Sequence, residues 1–140
     1  MNRMTERPPR SDTLMQAYLL FIAVGLMPIA LSYGVDPAGV LPRALNIRVE
    51  GVDQTQIFRA LMSLYLGCSA FWAVAAFKPD WQRVAVIFGV FFMVSLAIGR
   101  TISLVVDGPA SRLLDLYLVL EIFAGVLGLI VLAYARKRAA

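Results

Sequence analysis

A chain of 140 residues that is 60% hydrophobic and only 16% charged, with mean hydropathy +0.76, cannot be a water-soluble domain, because a core of that size has no room for so much apolar surface. It contains no histidine and a single cysteine, Cys68, which excludes histidine metal sites and triads, cysteine metal clusters and any internal disulfide framework. The net charge of +4 comes from basic residues at the ends of apolar runs, not from a tract interleaved with aromatics, so it points to membrane orientation and away from nucleic acid.

Residues 1–12 are polar and carry Arg3, Arg7 and Arg10 beside Pro8 and Pro9; they read as a flexible cytoplasmic tail. The apolar run from Leu14 to Tyr33 is long enough to cross a bilayer and lacks a clean small-residue cleavage site, so it reads as a first span over 13–34 and not as a signal peptide. Thr13 with Gln16 has capping-box spacing. Pro28 should kink the helix toward its outer end, where neighbours can satisfy the freed backbone group.

Residues 35–53 are punctuated by Pro37, Gly39, Pro42 and Gly51, and Leu45, Ile47 and Val49 alternate with Asn46, Arg48 and Glu50. Alternation predicts a short extended segment. With no sheet to join, it would lie as a cap across the outer mouth of the bundle or form a plain loop. Asp53 with Gln56 repeats the capping-box spacing and opens a second span over 54–77. Pro79 suits a first helical turn, which starts a third span over 80–106 after a tight turn. Asp107, Gly108 and Pro109 make the next turn, and Ser111 is a good N-cap for a fourth span over 111–135. Residues 136–140 form a basic tail. The whole is expected to be one domain, 13–135: an all-α integral membrane four-helix bundle, with short connections forcing antiparallel neighbours.

Lysine and arginine divide eight against three. Arg3, Arg7, Arg10, Lys78, Arg83, Arg136, Lys137 and Arg138 lie on one side, and Arg43, Arg48 and Arg112 on the other. The positive-inside rule then puts both termini in the cytoplasm, and a bacterial inner membrane is the expected location. Trp72 and Trp81 at the inner turn, with Tyr134, fit an aromatic interface belt. Cys68, within an apolar run, reads as a small buried hydrophobe.

Three ionisable residues fall inside spans: Arg59, Arg100 and Glu121. Counting from the helix ends at about 1.5 Å per residue, all three lie roughly 9 to 14 Å below the outer surface of the bundle. Hydrocarbon is a poor home for unpaired charge, so the three should face inward and converge. Helical spacing puts Arg59 on a stripe with Ser63, Leu66, Gly67 and Ala70, Arg100 with Leu96, Ser103 and Asp107, and Glu121 with Tyr117, Ala124, Gly125 and Gly128. Small residues on those faces let helices approach closely. The plainer reading is a buried ion pair that offsets the arginines' desolvation and holds the helices together. The sharper one is a ligand site with one surplus positive charge, built from Arg59, Arg100, Glu121, Ser63, Ser103 and Asp107, taking a small amphipathic anion, a lipid or a quinone. Asp107 as a turn residue and Asp115 in a first helical turn need no such role. Glu121 as a lone proton carrier lacks further titratable groups in the inner half. No phosphate-binding glycine loop, paired-carboxylate site or nucleophile elbow is present, so an enzyme is not expected, and neither is a metal or other cofactor.

Phe58-Arg59-Ala60-Leu61 followed by Leu64-Tyr65-Leu66-Gly67, then Gly99-Arg100-Thr101-Ile102-Ser103-Leu104 with Asp107-Gly108, and finally Glu121, resemble the pattern of a bacterial family of short four-helix integral membrane proteins described as a domain of unknown function. The resemblance covers nearly the whole chain after the polar head and implies that Arg59, Arg100 and Glu121 belong to a family pattern; it implies no activity. A looser similarity, of architecture, is to the DoxX-like membrane proteins, and architecture does not transfer function. Two functions follow: a structural or accessory membrane component, as a homo-oligomer or a subunit of a larger complex, or a binding or transport module for an amphipathic anion, lipid or quinone. An interior packed without a cavity would favour the first; a pocket lined by the charged residues would favour the second.

Overall fold

The computed structural model describes residues 12–139, and the expected polar head lies almost wholly outside them. Five helices follow one another: α1 (Thr13–Gly34), α2 (Pro37–Leu45), α3 (Val52–Ala76), α4 (Pro79–Val106) and α5 (Arg112–Ala139). Four of them, all except α2, are long and apolar enough to span a bilayer. Large hydrophobic side chains such as Phe91, Val119 and Ile130 point outward, as they should where lipid is the solvent.

Consecutive spans run antiparallel. α1 packs most extensively on α3 and α4 on α5; α1 also touches α4 and α5, and α3 touches α4, whereas α3 and α5 stand diagonally across the bundle. Tyr18, Leu19, Ile22 and Ala30 of α1 are almost fully buried, which makes α1 the best-buried span. An aromatic column links three helices, from Tyr33 edge-on to Tyr65, Tyr65 to Phe92, and Phe92 to Trp72. At the end of the bundle where α1 begins, the buried Gln82 side chain donates from Nε2 to the Ala76 carbonyl at 2.9 Å and accepts from the Asp12 amide through Oε1 at 2.9 Å, tying the starts of α1 and α4 to the end of α3.

Several local expectations need correction. The cap of α1 is Asp12, whose carboxylate accepts from the Leu14 and Met15 amides; the neighbouring Thr13 lies inside the helix. α3 starts after Gly51, which has φ 90°, a region open to glycine at no steric cost, and Asp53 makes no capping bond. Instead Gln54 accepts from the Glu50 amide. Ser111 accepts through its backbone carbonyl from Leu114 and Asp115, while its hydroxyl has no partner among the described residues. Trp72 is fully buried and not part of an interface belt, because it faces the α3–α4 seam; Trp81 is exposed and carries the Lys78 ammonium 4.6 Å above its ring.

The largest departure is α2, a helix where a loop or extended cap was expected, so the described residues form five helices: the four expected spans and this short one. Asp36 caps it by accepting from the Gly39 amide at 3.1 Å, Pro37 presets the first turn, and Pro37, Leu41 and Leu45 turn one apolar face inward. Asn46 ends it with φ 56°. The helix touches α1, α3 and α5, so it packs across the end of the bundle away from the chain termini. The alternation survives just beyond it: Ile47 and Val49 are half-buried against the core, and Asn46, Arg48 and Glu50 are exposed.

Candidate functional site

Arg100 of α4 and Glu121 of α5 meet in the half of the bundle away from the chain termini. Arg100 donates through Nε to both carboxylate oxygens, at 2.8 Å to Oε1 and 3.0 Å to Oε2. The Glu121 side chain is 10% exposed and that of Arg100 20%, so this is a largely desolvated ion pair, with each charge cancelling the cost of burying the other. It forms because the two residues lie at matching depth on adjacent antiparallel helices. The guanidinium carbon also lies 5.5 Å from the Tyr117 ring centroid, one turn before Glu121. Tyr33 of α1 stacks edge-on against Tyr65, which lies beside the pair.

Beneath the pair lies a cavity of about 150 Å³. Arg100, Glu121, Tyr117 and Tyr65 supply its polar groups, and apolar side chains of α1, α4 and α5, such as Ile22, Met93 and Leu96, form most of the wall. A second recess of about 70 Å³ on the other side of Arg100 is lined by Ser103, Leu114 and Asp115 among others. Arg100 thus separates two spaces. An apolar chamber with a few convergent polar groups at one end is the ordinary form of a small-molecule site, and one this small has room for about one benzene-sized ring.

The other expected site residues do not join this pair. Arg59 is exposed and makes no ion pair among the described residues. At about 3.6 residues per turn, it is rotated by roughly 140° from Trp72, which marks the packed face of α3. Its stripe, Ser63, Gly67 and Ala70, is exposed with it, and the diagonal placement of α3 and α5 keeps it from Glu121. Ser63 bonds within its own helix, donating to the Arg59 carbonyl at 3.0 Å. Ser103 donates to Asp107 Oδ2 at 2.8 Å; both are exposed at the end of α4, and neither lines the larger cavity. The surplus positive charge therefore disappears: one arginine faces one glutamate. Tyr33 and Tyr65 were not anticipated as site residues, and nothing in their spacing distinguishes them from ordinary core aromatics. Tyr117 was visible as the residue one turn from Glu121 on the same face. Among the described residues no group of acidic or cysteine side chains is placed to hold a metal ion.

Four apolar spans enclosing a desolvated charge pair define a multi-pass α-helical membrane protein. The chain belongs to the family described as the domain of unknown function DUF4345, whose model matches residues 14–132, the whole bundle apart from the last turns of α5. No curated protein and no solved structure matches it.

Proposed function

We propose that this protein is a multi-pass component of a bacterial inner membrane, with both termini in the cytoplasm, that holds a small amphipathic molecule of the bilayer in the chamber below Arg100 and Glu121. The observation that carries the reading is the ion pair forming one end of a mostly apolar cavity of about 150 Å³. A pair serving only to join helices would be expected in close-packed surroundings, whereas here it borders open space with hydrogen-bond donors to spare. Guanidinium has five N–H donors, and Glu121 engages the one on Nε.

The test is native mass spectrometry of the protein released from its own membranes, followed by organic extraction of whatever accompanies it. The wild type should carry a bound small molecule that Arg100→Leu/Glu121→Leu, a folded variant without the polar end, has lost. A second reading keeps the pair purely structural, in an accessory subunit of a larger assembly, and the direct α4–α5 bond favours it. Wild-type protein that emerges from its membranes with no bound small molecule would support that reading instead.

A further inference from the structure

The chamber has a side opening. Phe21 and Gly25 of α1 and Leu120 of α5 line it, yet Phe21 is 47% and Leu120 45% exposed, so the same residues that form its wall face the surrounding lipid. Toward the inner side the gap between the helices is closed where Phe21 meets Phe123 edge-on, with centroids 6.3 Å apart. At its other end the chamber is bounded by the Tyr117 ring and the Arg100–Glu121 pair. On α1 the chamber is lined from Phe21 to Ile29, eight residues or about 12 Å at the helical rise; between them stands Gly25, and a Cβ built there meets nothing within 4 Å. The window thus lies at the level of the hydrocarbon and not at a water-facing mouth.

Two further facts limit what can pass through and stay. The chamber holds about one six-membered ring, so an acyl chain or a two-tailed lipid cannot be enclosed in it, although a tail can trail out through the window. The polar end is electrically neutral as a pair, so adding an anion would leave a net negative charge in a desolvated setting. An uncharged carbonyl oxygen accepts a hydrogen bond from guanidinium without that penalty.

Resting on the binding function proposed above, we infer that the ligand is an uncharged carbonyl-bearing ring with an apolar tail, of the benzoquinone or aromatic ketone type, and that it reaches Arg100 sideways from the bilayer through the Gly25 window. The ring occupies the chamber, its carbonyl takes a spare N–H of Arg100, and the tail remains in lipid between α1 and α5.

Thermal unfolding of the full chain in one detergent, with equal concentrations of decyl-benzoquinone, decylbenzene or dodecanoate, tests this. The quinone should raise the midpoint of the wild type, decylbenzene should do so less, and dodecanoate least. In Arg100→Leu/Glu121→Leu the quinone should fall to the level of decylbenzene. Gly25→Leu fills a space that is open, so it should fold like the wild type and bind the quinone at least tenfold more weakly. Leu120→Trp obstructs the same window from α5 and serves if Gly25→Leu does not fold. Better protection by dodecanoate than by the quinone overturns the ligand class, and undiminished quinone protection in both window variants overturns the route. A wild type that carries a native small molecule but responds to none of the three probes overturns this inference and leaves the binding function standing; an empty wild type that responds to none removes both.

Discussion

Replacing Glu121 by leucine leaves the Arg100 guanidinium without its counter-charge, and the structure indicates how costly that is. Breaking a buried ion pair from one side typically costs about 3–5 kcal/mol. Arg100 is 20% exposed and lies six residues from the end of α4 at Val106, roughly 9 Å at the helical rise. Its long apolar stem can carry the charge part of the way to the interface. The loss for Glu121→Leu should therefore fall near the lower bound, about 3 kcal/mol. Glu121 is less exposed and has a shorter stem, so Arg100→Leu should cost more, about 4–5 kcal/mol. The double variant replaces both charges by apolar groups at adjacent positions and should lie within about 1 kcal/mol of the wild type, since a buried pair rarely outperforms well-packed hydrocarbon. Equilibrium unfolding in mixed micelles of all four proteins measures the cycle. A coupling of at least about 6 kcal/mol is expected from these values, whereas additive single losses would refute the reasoning that the two charges compensate each other.

At Gly128 an added Cβ would come 2.5 Å from Val90 Cγ2 and 2.6 Å from the Tyr18 hydroxyl, so Gly128→Ala should lower stability by about 1–3 kcal/mol; Gly67→Ala, with nothing within 4 Å, should change it little in the same unfolding assay. Arg59→Leu should not destabilise the fold, because Arg59 is exposed and unpaired among the described residues; a loss as large as that of Arg100→Leu would place Arg59 in the buried network after all. Orientation is tested by single-cysteine labelling of intact cells in a Cys68→Ala background. Arg48→Cys should react with an impermeant maleimide from outside, and Arg136→Cys only after permeabilisation, if the excess of basic charge faces the cytoplasm.

The spans and the depth of their charges could be read from one dimension. A run of about 20 apolar residues suffices to cross hydrocarbon, and a fixed rise per residue puts Arg100 and Glu121 at the same level before any packing is known. Local chemistry decided less. Asp12 and Thr13 compete for the same cap position, and the proline-rich stretch that forms α2 contains both an alternating pattern and the capped, proline-led start of a helix. Rotation about each helix axis was decided only by tertiary structure. In water the apolar face of a helix turns inward, which identifies the core; in a bilayer the outside is as apolar as the inside, so the pattern of α3 does not reveal that Trp72 faces the bundle and Arg59 faces away. For the same reason Gly25 resembles any other glycine in an apolar run until α5 is seen standing apart from it.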